Sequence, residues 1–377
     1  MNKLRFSIFA LCALCAVAQA QIYSPIVGFN TVTALGNSDT RFSVPLHRSS
    51  AFQGVVQSVA GSVITVQGLP GWTLNQFVYS AGVQTNIYYV SVGSGNKGGM
   101  YYTVTANSAD SGTPDTSTIT VDAAGDVLDG GSGILNGDTI SVIPYWSFAT
   151  LFPGQQGITT TTAANGSGAM TRVFVPDVSS AGSNLAASSQ YYYYTGASFG
   201  GAGWRKTGGG LSTIRDNETI SPDVFVVIRQ DGVGTSTILT ATGTVPTGNR
   251  RYVIGTISPN VDQDNAIAVD VPVPLTLAQS KLFESGAFTA APNANGTGGD
   301  KLFVYDDTTV ATNKSAAKQY YYYNGASFGG AGWRLSGGGL STIRNDEVVF
   351  QPGSGYIIRK LATPSPATVI WTLPTNF

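Results

Sequence analysis

The chain has 377 residues, 47 of them Gly and 17 Pro, with one His, two Cys and a formal charge of −1. Charged residues are 11% of the total, less than half the usual ~25%, which excludes a strongly basic nucleic-acid surface. One His and two Cys exclude most zinc sites, cysteine nucleophiles and dithiol chemistry.

Residues 1–20 read as a secretory signal. Lys3 and Arg5 form the positive start, Phe6 to Val17 the apolar run, and Ala18-Gln19-Ala20 the small-residue cleavage site, which leaves Gln21 first. Cys12 and Cys15 both lie inside this segment, each preceded by Leu rather than by the small residue that lipidation needs. The mature chain is therefore expected to lack cysteine and to depend on packing instead of disulfides. No later stretch is long and apolar enough for a membrane-spanning helix.

The next elements are strands. Val55 to Val59 and Val63 to Val66 alternate around Ala60-Gly61-Ser62, a hairpin pattern. Asn86 to Val92, Met100 to Thr105, Thr116 to Val121 and Asp138 to Ile143 follow at similar spacing, separated by turn residues. Short, regularly spaced strands predict a small closed barrel of about six strands over residues 51–146.

Beyond it lies an internal repeat. Gln190 to Arg205 recurs as Gln319 to Arg334 with one change, Thr195 to Asn324, and Gly208 to Arg215 recurs as Gly337 to Arg344. The offset is 129 residues. Val27-Gly28 with Asp39 resembles Ile254-Gly255 with Asp264, and Leu151-Phe152 corresponds to Leu282-Phe283. The predicted fold class is all-β, with tandem duplicated sandwich- or barrel-like modules. The first module comprises 21–50 plus 147–250, the second 251–377, and the barrel at 51–146 is an insertion in the first. Insertions are tolerated because loop-closure entropy grows slowly with length. Val224 to Arg229, Ser236 to Thr240 and Tyr356 to Arg359 read as further strands by β-branched and aromatic content. Leu275 to Glu284 is the one helix expected outside the signal.

Val44 to Arg48, Ala51 to Val56, Ile143-Pro144-Tyr145-Trp146 and the Tyr-rich stretch ending Gly203-Trp204-Arg205 together resemble a family of exported, β-rich proteins from Verrucomicrobia-type bacteria. The resemblance implies export from a bacterium and carries no catalytic residue with it.

The candidate binding residues are in the repeated hairpins. Strand periodicity puts Tyr191 and Tyr193 on one face and Tyr192 and Tyr194 on the other. Trp204 and Arg205 are expected to return beside them, with Arg205 over a ring. Tyr191, Tyr193, Trp204 and Arg205, with Tyr320, Tyr322, Trp333 and Arg334, make either a sugar platform or a buried structural hairpin, and the second is favoured because cores use aromatics heavily.

Other features carry less. Gly208-Gly209-Gly210 lacks the Lys-Ser/Thr and following helix of a phosphate loop. His47 has no Gly-x-Ser-x-Gly elbow to serve and reads as a packed or hydrogen-bonded His. Asp122, Asp126 and Asp129, Asp262 with Asp264, and Asp216-Asn217-Glu218 with its copy Asn345-Asp346-Glu347 lack recognised calcium spacing, and Asp and Asn are ordinary turn residues. Sequons at Asn165, Asn217, Asn295 and Asn313 are loop composition in a bacterial chain. The expectation is a non-enzymatic, exported protein at the cell surface, outside the cell or in the periplasm. It acts as a structural or adhesive component, with polysaccharide or envelope proteins as partners and without cofactor, metal or nucleic acid. The alternative is a carbohydrate-binding module pair using the hairpins.

Overall fold

A computed structural model describes residues 25–112 and 115–374. The expected export signal at residues 1–20 lies outside the described residues. The chain is almost wholly β. The first module opens with β1 (Val27–Ala34) and β2 (Asp39–Phe42). The barrel follows with β3 (Phe52–Ala60), β4 (Val63–Gln67), β5 (Tyr88–Val92), β6 (Tyr101–Asn107), β7 (Ser111–Gly112), β8 (Asp115–Val121) and β9 (Thr139–Pro144). The first module resumes with β10 (Trp146–Ser147), helix α1 (Phe148–Leu151), β11 (Met170–Val175), β12 (Ser189–Tyr194), β13 (Gly203–Lys206), β14 (Thr219–Ile220), β15 (Val226–Asp231) and β16 (Thr237–Thr244). The second module comprises β17 (Arg250–Gly255), β18 (Gln263–Ala268), β19 (Leu275–Thr276), β20 (Lys301–Val304), β21 (Lys318–Tyr323), β22 (Gly332–Leu335), β23 (Val348–Phe350), β24 (Gly355–Lys360) and β25 (Thr368–Leu373).

The barrel order is β4-β3-β9-β5-β6-β8, closed by β4 on β8, with β7 hanging from β8. Closure removes the exposed edges that short strands would otherwise leave. Alternation fills the inside: Val56, Ile64, Val90, Val104, Ile119 and Val142 are buried within it. The barrel's two ends are neighbours. Ala51 N donates to Val142 O at 2.8 Å, and Trp146 Nε1 donates to Leu46 O at 2.9 Å.

Each module has a five-stranded antiparallel sheet, β13-β12-β11-β15-β2 in the first and β22-β21-β20-β24-β18 in the second. Each also has two ribbons, β1-β16 with β10-β14, and β17-β25 with β19-β23. The strand orders correspond one for one. Trp204 with Phe42, Phe148 and Ile228 forms the first core, and Trp333 with Leu282, Ile358 and Trp371 the second. Trp371 and Leu373 are fully buried in the second module.

Leu275 to Glu284 is not a helix. Leu275-Thr276 pairs with β23, and turns follow, with Lys281 at φ 52°. Ser280 spends its hydroxyl on Leu277 O and its carbonyl on Trp371 Nε1, which are tertiary demands that override the weak helical pattern. The short helix is α1 instead, started by a reciprocal cap between Ser147 and Thr150.

Candidate functional site

Two assemblies gather the residues of interest: the repeated hairpins, and a polar junction where the three units meet.

In the first hairpin Tyr193 pairs with Trp204 and Tyr192 with Arg205; in the second Tyr322 pairs with Trp333 and Tyr321 with Arg334. Tyr191 lies in the module core and Tyr193 packs against it, while Tyr192 and Tyr194 form a small cluster with Met170 on the other face. Trp204 stacks on Phe148 with centroids 4.9 Å apart and meets the Tyr193 edge at 5.7 Å. Trp333 is held by Phe288 and Tyr322, and Tyr322 lies flat on Phe283.

This geometry corrects the sugar-platform alternative. Tyr191, Trp204, Arg205, Tyr320, Trp333 and Arg334 are all 2% exposed or less. Rings buried on both sides have no face left for a pyranose. Tyr193 and Tyr322 are half-buried, and their neighbours within the protein occupy them.

Arg205 is the fastening of its hairpin. Its guanidinium donates to Leu211 O at 2.7 Å, Gly201 O at 2.6 Å, Phe199 O at 3.1 Å and Trp204 O at 3.2 Å, and lies 5.5 Å from the Tyr194 ring. Arg334 repeats this on Leu340, Gly330, Phe328 and Trp333. A buried cation needs its donors satisfied, and carbonyls converge on it only if the loop turns sharply. Phe199, Gly200 and Gly201 accordingly take positive φ (54°, 83° and 88°). The sheet edge beyond β13 is closed by Asp216, whose Oδ1 accepts Trp204 N at 2.8 Å; Asn345 does this for Trp333.

The junction is built around Asp270 of the second module. Tyr252 hydroxyl donates to its Oδ1 at 2.5 Å, while His47 Nε2 at 3.2 Å and Arg250 Nε at 3.1 Å approach Oδ2. His47 comes from the first module, and its ring meets the edge of Tyr89 of the barrel. Tyr89, Tyr101 and Tyr145 cluster on the barrel's outer surface there, and Tyr101 hydroxyl donates to Asp223 of the first module at 2.6 Å. Backbone contact is close: Arg251 N donates to Gly99 O at 3.3 Å, and a Cβ at Gly99 would stand 2.6 Å from Asn249 O. Gly99 also has φ 93°, so only glycine fits there.

Electrostatics follow burial. Burial holds His47 below its ordinary value, aided by Arg250 and only partly opposed by Asp270. Burial pushes Asp270 up, but Arg250, His47 and Tyr252 outweigh it and hold the carboxyl below its usual range. Burial pushes Asp223 up. His47 thus sits neutral against a carboxylate that other partners also use, as its packed, hydrogen-bonded reading expects.

The acidic clusters are spent on structure. Asp126 takes Lys97 at 2.6 Å and Tyr102 at 2.7 Å, Asp129 accepts Gly61 N at 2.8 Å, and Asp262 accepts Ala362 N at 2.8 Å. Among the described residues no group of three or more His, Cys, Asp or Glu is placed to hold a metal ion.

Sequence reasoning missed a third assembly, which clasps the modules together. Asp39 N donates to Ala311 O, and Asp39 Oδ2 accepts Asn313 N at 2.6 Å; Arg229 binds Asp39 twice and reaches Asn313 Oδ1 at 2.7 Å. In the opposite direction Asp264 N donates to Gly182 O, and Asp264 Oδ2 accepts Asn184 N at 2.7 Å; Arg359 binds Asp264 twice and reaches Asn184 Oδ1 at 2.9 Å. Arg229 lies 4.8 Å from the Phe174 ring, and Arg359 4.8 Å from Phe303. Each module thus extends a loop onto the outer strand of its neighbour's sheet. The available signal was Asn184 and Asn313, separated by the same 129 residues as the hairpins.

Comparison of the chain with family models, curated proteins and solved structures finds no match.

Proposed function

We propose that the protein is an exported component of a bacterial cell envelope or exterior that works as a rigid structural or adhesive β body, in the manner of the Verrucomicrobia-type exported family it resembles. The observation that supports this most is where the charged and aromatic groups go: the reciprocal Asp39 and Asp264 clasps and the Asp270 junction hold the three units to one another, and the Arg205 and Arg334 fastenings lock the hairpin within each module. Chemistry spent on rigidity suits a protein that acts by presenting surface, with envelope proteins or polysaccharide as partners. The reading assigns no catalytic residue, and it leaves the hairpins as structure. Fractionating the source cell tests it. The expected result is a chain beginning at Gln21 in the medium, the periplasm or the outer envelope. Full-length chain retained in the cytoplasm overturns it.

A further inference from the structure

A cleft of 490 Å³ opens between the barrel, the ends of the first module and the segment leading into the second. Its floor is the outer face of the barrel. Gln53 pairs with Ser141 and Ser91 pairs with Ser141, so the three stand in one row across β3, β9 and β5. Their neighbours Val90, Val92, Ile140 and Val142 point inward to the barrel core, which aims the row outward. Thr247 and Asn249 line the opposite wall. The side chains of Gln53, Ser91, Ser141, Thr247 and Asn249 make no hydrogen bond among the described residues.

Charge is one-sided. Arg48 and Arg250 line the cleft, and no carboxylate does. Arg250 is neutralised from behind by Asp270. Arg48 has no carboxylate partner among the described residues: its Nη1 donates to Asn86 Oδ1 at 2.8 Å and Tyr145 O at 3.0 Å, both neutral. The volume is within the range of small-ligand sites, which favour domain junctions. A row of hydrogen-bonding groups at strand spacing, about 4.8 Å, is close to the repeat of a sugar chain lying across the strands. No exposed ring lines the floor for stacking.

We propose that this cleft binds an acidic saccharide of the uronic-acid type, its hydroxyls on the Gln53–Ser141–Ser91 row and a carboxylate on Arg48. The site goes beyond a purely structural role and stands wherever the cell keeps the protein. Titration calorimetry on the mature chain tests it with three probes: tri-galacturonate, the uncharged galactose trisaccharide of the same linkage, and inorganic sulfate. Tri-galacturonate is expected to bind at least about 10-fold tighter than either of the others. Arg48→Gln is expected to weaken it about 10- to 100-fold, and Gln53→Ala or Ser141→Val about 3- to 10-fold each. The last two variants break no internal bond, so their melting temperatures stay unchanged and they keep the test valid if Arg48→Gln misfolds. No binding of tri-galacturonate at about 10 mM overturns the proposal. So does equal binding of sulfate, which marks an adventitious anion site, or of the neutral sugar, or an affinity untouched by Gln53→Ala and Ser141→Val.

Discussion

His47 is the only histidine in the chain, so any stability change near neutral pH has one principal author. Its folded-state pKa is depressed by burial, against an unfolded value of about 6.5. Below that pH the unfolded chain takes up a proton that the folded chain refuses, so stability falls as pH drops. Asp223, pushed up by burial, has the opposite sign: the fold favours its protonated form, so acid stabilises through its own window. Urea unfolding at pH 7.5 and 5 is expected to show a loss in the native protein that His47→Gln removes, leaving any opposing Asp223 slope behind. A native curve that is flat, or equally steep in the variant, would sink this assignment. Nothing local in the sequence links His47 to Asp270, 223 residues away; a lone histidine shows its chemistry only when folding supplies the partner.

At the scale of elements, the hairpins were largely readable in advance. Alternation correctly put Tyr191 and Tyr193 on one face, and the glycine-rich turn correctly brought Trp204 and Arg205 back beside the tetrad. What periodicity leaves open is whether a second aromatic face is displayed or covered, because covering depends on Phe148, Phe152 and Phe288 from elsewhere. The short Leu275 to Glu284 segment was misread for a related reason: its backbone answers to Trp371, which lies about ninety residues on. Since both tryptophans are core, Trp204→Ala and Trp333→Ala are each expected to cost about 3–5 kcal/mol, measured by denaturant unfolding. Losses under about 1 kcal/mol in both variants would contradict their place in the core.

For the whole molecule, the all-β class, the six-stranded barrel and the paired modules follow from strand spacing and the 129-residue repeat, whereas the clasp between modules does not. A repeat shows that two units are alike but is silent on how they touch. The clasp makes a quantitative demand. Removing Asp39 strands Arg229 and Asn313 N, and removing Asp264 strands Arg359 and Asn184 N. Both arginines keep some solvent contact, so each loss falls below that of a fully buried pair, at about 2–3 kcal/mol. Asp39→Ala and Asp264→Ala are expected to destabilise by matching amounts, within about 1 kcal/mol, in thermal or urea unfolding. A large loss from one and none from the other would show that only one clasp holds.

The same clasp bears on stoichiometry. Two free subunits gripping each other in this mutual way would have to carry any appendage twice, one on each side, and the pair would have no front or back. Joined in one chain, they carry the barrel once. The result is a body with two matching halves and a single head, and therefore with a direction.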